Sequence, residues 1–282
     1  MPDLIDLHCH TTASDGSLTP AELVRKAKEC GLKAVAITDH DTVEGVGEAL
    51  AEGQSLDFEV IPGIEISAEI PSGSMHILGY FIDHTSADLL AVLRKLQDSR
   101  ETRNQRIIEK LHSLHIEVSY AELLRVAGGG QVGRPHIAEL LVQKGFVRSL
   151  KEAFDIYLKK GRPAYAEKFR LTPAEAIKLI TRAGGMAALA HPGSLNKSLE
   201  EVEKVVGELE AAGLKGLEVF YTEHAPEQTR GYQRIAGRHH LIPTGGTDYH
   251  GAYKPGIELG RGRGSLRIPY ELLADMKKKM GR

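Results

Sequence analysis

The 282-residue sequence predicts an α/β fold of about seven strands that mostly alternate with helices, as a closed barrel or an open parallel sheet. Short β-branched or apolar runs alternate with helical patterns over residues 4–82 and again over 172–248. Between these two parts, only helical patterns occur. We therefore expect one strand-containing domain, residues 1–95 and 166–282, interrupted by a helical insertion at 96–165.

The first part opens with an apolar strand at 4–8 and a helix at 17–31. Thr19, Pro20 and Glu22 form an N-terminal helix signature, because a capping threonine and a glutamate three residues later can bind each other's backbone N–H groups. The next elements are a strand at 33–38 and a helix weakened by glycines at 42–53. Strands at 58–67 and 75–82 follow, joined by a turn at 71–74.

The insertion opens with a long polar and apolar segment at 86–114, for which we expect two helices. Further helices are predicted at 119–127, 134–145 and 149–161, with a glycine break at 128–130. The mixed charges of residues 98–106 are typical of a solvated helix face.

Alternation resumes with a second Thr-Pro-x-Glu signature, which opens a helix at 172–185. Strands at 186–191, 216–221 and 241–248 alternate with helices at 198–213 and 226–239. In both a barrel and an open parallel sheet, chemistry collects at the carboxyl ends of the strands.

The composition argues against several classes of protein. A net charge of −2 argues against binding along a long nucleic acid, which needs a basic face. Two cysteines, Cys9 and Cys30, do not make a disulfide framework, and a reducing cytoplasm is expected. Neither a signal peptide nor an apolar run near the ~20 residues of a membrane span is found.

Histidines and carboxylates cluster at the predicted strand ends. His8 and His10 share one face of an extended chain, while Cys9 points the other way and is expected in the core. Together with Asp15, the candidate metal ligands number nine: His8, His10, Asp15, His40, Glu65, His76, His191, Asp248 and His250. Imidazole and carboxylate ligands without thiolate suit Zn, Mn or Fe, and their number implies several ions. A centre with several such ions is typical of enzymes in which a metal-bound hydroxide attacks a phosphoester.

Six motifs occur in order between residues 6 and 251: DLHCHTTASDG, ITDHDT, GIEIS, His76, ALAHPG and GGTDYHG. This ordered set resembles the polymerase and histidinol phosphatase (PHP) family. The resemblance implies a distorted seven-stranded (β/α) barrel with three metal ions. It places one ion on His8, His10, Glu65 and Asp248, a second on Asp15, His40 and His250, and a third on Glu65, His76 and His191, with Glu65 bridging. His191 is also expected to act in catalysis.

The insertion motifs GRPHIAELLV (133–142) and KGRPAYAEKF (160–169) resemble a PHP subgroup that acts on small nucleotides. Arg134 offers a planar fork for a phosphate, and His136 could bind phosphate or protonate a leaving group. Lys168 and Arg170 are weaker candidates. Arg134 and His136 could instead be capping or surface residues, and His76 a core residue.

The expected activity is release of the 3′-phosphate from nucleoside 3′,5′-bisphosphates, with 5′→3′ trimming of short RNA as a second activity. The expected partner is thus a small phosphorylated molecule, not a long nucleic acid or a membrane, and the oligomeric state is left open. A histidinol-phosphate phosphatase is the rival within enzymes. A non-catalytic, metal-binding accessory module is the rival from another class.

Overall fold

The computed structural model describes residues 3–70, 75–128 and 132–282. Within these residues, seven strands form one sheet in chain order. They are β1 (Ile5–Asp6), β2 (Ala34–Ile37), β3 (Glu59–Ala68), β4 (Met75–Tyr80), β5 (Met186–Leu189), β6 (Gly216–Tyr221) and β7 (Ile242–Gly246). The predicted turn at 71–74 and most of the glycine break at 128–130 lie outside the described residues.

The sheet is parallel except at β4, which runs antiparallel to both β3 and β5. The prediction of a parallel sheet is therefore corrected at this strand. Only residues 69–74 separate β3 from β4, which is too few for the crossover that parallel neighbours require. Bonds from Leu7 N to Gly245 O (3.1 Å) and from His10 N to Tyr249 O (2.9 Å) link the two edges of the sheet, so the barrel is nearly closed.

Ten α-helices lie in the part of the chain that the structure describes. They are α1 (Pro20–Glu29), α2 (Val46–Leu56), α3 (Ala87–Ser113), α4 (Tyr120–Val126), α5 (Arg134–Gln143), α6 (Leu150–Ala153), α7 (Pro173–Arg182), α8 (Leu199–Ala211), α9 (Pro226–Arg238) and α10 (Glu271–Lys279). Both predicted N-terminal signatures are confirmed. Thr19 and Glu22 at α1, like Thr172 and Glu175 at α7, bind each other's backbone N–H groups.

Residues 87–113 form one continuous helix, α3, so the prediction of two helices was wrong. The segment contains no glycine or proline that would break it. Leu89, Leu93 and Leu96 pack on the barrel core, whereas Ile107 and Leu111 pack in the core of the insertion. The helix therefore runs through the boundary predicted at residue 95. The predicted helix at 149–161 is α6 continued by a π-helical turn, Phe154–Leu158.

Three hydrophobic clusters stabilise the fold. The barrel interior contains Ile5, Leu7 and Leu78 and is closed at one end by Leu273 and Met276 of α10. A second cluster lies between the sheet and its surrounding helices, and it includes Cys9, as predicted. The third holds the insertion together between residues 107 and 166. No helix in the described ranges is long and apolar enough to cross a membrane.

Candidate metal centre and substrate cavity

Glu65 of β3 lies at the centre of the predicted ligand set and is completely buried. Its Oε2 atom lies 3.1 Å from His8 Nε2, 3.2 Å from His10 Nε2 and 3.1 Å from His40 Nδ1. Its Oε1 atom lies 2.7 Å from His76 Nδ1 and 3.0 Å from His191 Nε2. One carboxylate is thus surrounded by imidazole nitrogens from the ends of β1, β2 and β5 and from β4.

Two aspartates complete the centre. Asp248 Oδ1 lies 3.1 Å from His10 Nε2 and 3.3 Å from His250 Nδ1. Asp15 Oδ1 lies 3.3 Å from His250 Nε2 and 3.7 Å from His10 Nδ1. The structure therefore brings all nine predicted ligands together.

Three sets of ligand atoms lie close enough, within 4.8 Å of one another, to hold an ion. The sets are His8, His10, Glu65 and Asp248; His10, Asp15, His40 and His250; and His40, Glu65 and His76. The first matches the set that the family resemblance implies, and the second contains the implied set plus His10. In the third, His40 takes the place expected for His191, although His191 also contacts Glu65.

The donor chemistry of this cluster fits divalent metal ions. Both ring nitrogens of His10 and Nδ1 of His40 are buried and make no well-formed hydrogen bond among the described residues, although carboxylate oxygens lie 3.1–3.7 Å from them. Buried polar atoms are normally satisfied, so nitrogens left in this way point to a ligand that the protein itself does not supply. Mixed nitrogen and oxygen donors without thiolate suit Mn, Fe and Zn.

The electrostatics of the cluster favour bound cations. Burial opposes ionisation of Glu65, Asp15 and Asp248, but the neighbouring histidines outweigh it and hold the pKa of each carboxyl well below its usual range. Burial likewise opposes the charge of His10, yet Asp248 and Glu65 raise the pKa of His10 to about 10. His40 differs, because burial lowers its pKa to about 3 and leaves it neutral, the form that binds metals.

The candidate ligands are held by residues that sequence analysis did not find. Glu218 of β6 is completely buried and accepts bonds from His8 Nδ1 (3.0 Å) and His191 N (2.6 Å). Tyr221 donates to Asp248 Oδ2 at 2.9 Å, and Lys254 pairs with the same oxygen. The available signal was a lone glutamate inside the otherwise apolar strand GLEVFY.

Asp39 and Asp41, which flank His40 in the chain, support the centre from outside. Asp39 accepts bonds from Thr11 N at 2.7 Å and from Ser14 Oγ at 2.5 Å, which order the loop after β1. Asp41 accepts a bond from Lys168 Nζ at 2.8 Å and is also paired with Arg100. Neither aspartate belongs to a ligand set.

A cavity of about 720 Å³ lies between the metal centre and the insertion. Asp15, His40 and His76 line it on the barrel side, and Arg134 and Lys168 line it on the insertion side. The Arg134 guanidinium also lies near the Phe154 and Tyr165 rings, 5.8 and 5.9 Å from their centroids. Three of the four candidate substrate-binding residues, Arg134, Lys168 and Arg170, therefore line the same space as the candidate ligands.

His136 is placed differently from the other predicted substrate contacts. It is buried, does not line the cavity, and its Nδ1 atom accepts a bond from Gly133 N at 3.0 Å. Its ring lies edge-on to Tyr253, with 5.9 Å between centroids. The observed contacts are those of a capping residue at the start of α5, an alternative that the sequence left open.

The prediction of a solvated face for residues 98–106 was wrong for two arginines. Arg100 is paired with Asp41, and Arg103 is only 4% exposed. Both line the cavity. Alternation of charge along a helix shows which residues share a face, but not that the insertion covers that face.

A nearly closed α/β barrel with a histidine–carboxylate centre beside a basic cavity defines a metal-dependent hydrolase. A model of the PHP domain matches residues 6–169, and the chain belongs to the PHP family. Since the match ends at 169, His191, Asp248 and His250 lie beyond it. Longer similarities to whole proteins include these residues.

Several known proteins are similar to this chain over most of its length. A 5′-3′ exoribonuclease, Rnm, of Salmonella typhimurium is 36% identical over 92% of this chain and 88% of its own. A 3′,5′-nucleoside bisphosphate phosphatase of Chromobacterium violaceum is 31% identical over 91% of this chain and 90% of its own. A structure from Bifidobacterium adolescentis, assigned as a metal-dependent phosphoesterase, has a TM-score of 0.86 and 30% identity over 100% of both chains. This chain is a metal-dependent PHP phosphoesterase, a hydrolase of phosphoester bonds.

Proposed function

We propose that this phosphoesterase removes the 3′-phosphate of nucleoside 3′,5′-bisphosphates and also trims short RNA from its 5′ end. The observation that carries the proposal is the 720 Å³ cavity, in which the metal centre faces several basic side chains. A cavity of this size suits a single nucleotide. The names of two relatives, an exoribonuclease and a bisphosphate phosphatase, support the same substrate class.

In this proposal the centre holds three divalent ions, Mn, Fe or Zn. Bound ions of this kind polarise phosphoryl oxygens and lower the pKa of water. Glu65 suits a bridging role because its two oxygens face different histidines. His191, with Nε2 3.0 Å from Glu65 and Nδ1 2.9 Å from Ser194 Oγ, is held in one orientation beside Glu65.

The reaction adds water to the 3′-phosphorus and breaks its bond to the 3′-oxygen, which takes up a proton. The products are a nucleoside 5′-monophosphate and orthophosphate. Arg134 presents a fork that matches two phosphoryl oxygens, and Lys168 supplies a second positive charge on the insertion side. These two residues bind and orient the substrate between the insertion and the metal centre.

The excess of basic over acidic side chains in the cavity also argues against histidinol phosphate as the substrate. Histidinol phosphate carries one phosphate and an ammonium group, which the lining arginines would repel. A nucleoside bisphosphate or a short RNA has at least two anionic groups and gains from the same charges.

The test is phosphate release from adenosine 3′,5′-bisphosphate by manganese-supplied protein, with the nucleoside product identified by chromatography. We expect adenosine 5′-monophosphate, and a loss of at least about 100-fold in kcat/KM for His191→Ala and for Asp248→Ala, since even outer-shell changes cost up to that much. His84→Ala, outside the ligand sets, should behave as wild type. Histidinol phosphate and a 5′-phosphorylated tetranucleotide RNA are assayed in parallel.

Full activity in the His191 and Asp248 variants would refute the proposed site. Faster turnover of histidinol phosphate than of the bisphosphate would refute the proposed substrate while leaving the site intact. The absence of any hydrolysis would favour the accessory-module alternative.

A further inference from the structure

Arg103 is a buried cation whose side chain meets no carboxylate within the described part of the chain. It is 4% exposed, and it donates only to Asn104 Oδ1, from Nε at 3.2 Å and from Nη2 at 2.7 Å. Arginine is rarely buried unless it is paired, because an uncompensated charge away from water is costly. A neutral amide oxygen satisfies part of the guanidinium's hydrogen-bonding capacity but none of its charge.

The surroundings of Arg103 add to this excess of positive charge. The other basic residues that line the cavity are Arg100, Arg134, Lys159, Lys160, Lys168 and Arg170. Asp41 pairs with both Arg100 and Lys168, and Glu167 lies 3.5 Å from Arg170. Arg134 donates to the carbonyl oxygen of Leu158 at 3.3 Å. Arg103 and Arg134 are thus left without a paired carboxylate among the described residues, in a cavity lined by more basic than acidic side chains.

This arrangement makes the positive charge of Arg103 energetically unfavourable. Burial, followed by the like charges of Arg100, Arg134 and Arg170, lowers the pKa of Arg103 to about 8. An anion that enters the cavity would relieve both effects at once. A phosphate suits the place well, because a guanidinium fork binds two of its oxygens in one plane.

We propose that Arg103, with Arg134 beside it, forms a second anion subsite that binds the phosphate of the substrate that is not hydrolysed. This inference rests on the proposed function, and it names the residue that selects a bisphosphate over a monophosphate. The cavity that Arg103 lines also reaches Asp15, His40 and His76. One nucleotide can therefore place its 3′-phosphate at the metal centre and its 5′-phosphate at Arg103.

A purely structural role for Arg103 makes a different prediction. Arg103 holds Asn104, and Asn104 Nδ2 donates to Val132 O at 2.9 Å, so the pair also links α3 to the segment before α5. If this link were the whole role, loss of Arg103 would impair every substrate equally. A subsite role confines the loss to substrates that carry the second phosphate.

The experiment compares adenosine 3′,5′-bisphosphate with adenosine 3′-monophosphate as substrates of the manganese-supplied enzyme. Arg103→Gln should lower kcat/KM for the bisphosphate by about 10- to 100-fold, mainly through KM, which is the usual effect of losing a charged hydrogen bond. It should leave kcat/KM for the 3′-monophosphate little changed, because that substrate lacks the phosphate that Arg103 binds. Arg103→Lys keeps the charge without the fork and should recover part of the preference. Arg106→Gln, exposed on the same helix, is the matched control.

Binding is measured separately by calorimetry with adenosine 5′-monophosphate, orthophosphate and adenosine as probes. If the subsite exists, Arg103→Gln should weaken binding of the 5′-monophosphate by about tenfold or more and leave binding of adenosine unchanged. If only the binding of orthophosphate is weakened, the site binds free phosphate, and its assignment as a subsite for the nucleotide is overturned. Equal losses for both substrates, or no loss in either Arg103 variant, would also overturn it.

The binding measurement separates the two proposals. If the bisphosphate is not hydrolysed, the proposed function fails, but a 5′-monophosphate that binds through Arg103 still establishes the subsite. If the bisphosphate is hydrolysed and Arg103→Gln keeps the wild-type preference, the subsite fails and the proposed function stands.

Discussion

Glu218 lies outside the candidate ligand sets, yet it contacts two of the histidines that surround Glu65. By accepting a bond from His8 Nδ1 at 3.0 Å, it directs the other ring nitrogen, Nε2, toward Glu65 and Asp248. Its second oxygen accepts the bond from His191 N, where the backbone has a φ of 24°. Strained backbone of this kind persists only where the surroundings hold it in place. Glu218 therefore both orients one ligand and stabilises the conformation at another.

Replacement of Glu218 by glutamine tests this role with almost no change of shape. The amide lacks the negative charge that favours the Nδ1–H tautomer of His8, so we expect the affinity for manganese to fall by about 10- to 100-fold. Metal titration of the purified variant measures this change directly. Glu223→Gln is the matched control, because Glu223 is exposed just beyond β6. An unchanged manganese affinity in Glu218→Gln would show that His8 is oriented by other contacts.

The contrast between ligands and supporting residues explains which site residues the sequence predicted. His8 and His10 share a face through simple alternation, and their motif context was specific. Glu218, Tyr221 and Arg103 have no such context, because their roles depend on neighbours that are distant in the chain. His136 shows the reverse case: a motif residue whose observed contact is a backbone N–H three residues away.

At the scale of elements, the edge between β1 and β7 positions a large part of the centre. The strand β1 has only two residues, and backbone bonds such as Leu7 N to Gly245 O hold its continuation beside β7. A Cβ atom on Gly246 would lie 2.1 Å from His8 Cβ and 2.5 Å from His8 N. Residue 246 must therefore be glycine, because β7 approaches His8 closely at this point and so holds His8 at the centre.

Gly246→Ala should push the two edges apart. We expect a loss of about 1–3 kcal/mol or more in the free energy of unfolding, as for overpacked cores, together with weaker metal binding. Chemical denaturation with and without manganese gives both quantities. Gly237 lies on α9, where an added Cβ would meet no atom within 4 Å. The Gly237→Ala variant should therefore gain roughly 0.5–1 kcal/mol in the free energy of unfolding from helix propensity. Wild-type stability in Gly246→Ala would mean that the edge can relax without cost.

The helix α3 shows why an element can be located correctly and still be interpreted wrongly. Its pattern predicted helix throughout, and the residues are helical. Its N-terminal half packs on the barrel and its C-terminal half on the insertion, so one rigid helix joins the two cores. The division at residue 95 remains a proposal about domains, but no change of secondary structure marks it.

At the scale of the whole molecule, the buried centre couples metal binding to stability. Six histidines and three carboxylates converge from both halves of the chain, on either side of the insertion. In the absence of ions, the carboxylates are balanced by protonated imidazoles and by Lys254 beside Asp248, as the raised pKa of His10 indicates. A divalent ion that binds only the folded state stabilises it by mass action.

Metal removal should therefore lower the melting temperature. Manganese at 100 times its Kd contributes about 2.7 kcal/mol, and for a chain of this size that corresponds to a rise of roughly 5–10 °C over the chelated protein. Thermal unfolding with a chelator and with added manganese measures the difference. His10→Ala, which removes a residue shared by two ligand sets, should lose most of the shift, whereas His84→Ala should keep it. A shift that persists in His10→Ala would place the stabilising ion elsewhere.

The sequence alone was sufficient for the alternation of strands and helices, the capped helix starts and all nine candidate ligands, because these depend on local spacing and on ordered motifs. The tertiary structure alone decided that β4 runs antiparallel, that α3 is one helix, that Arg103 is buried and that Arg100 is paired with Asp41. It also revealed the support of Glu218 beneath two histidines. Each of these features depends on which distant surfaces cover a residue, and burial changes the cost of a charge without leaving any periodic trace in the chain.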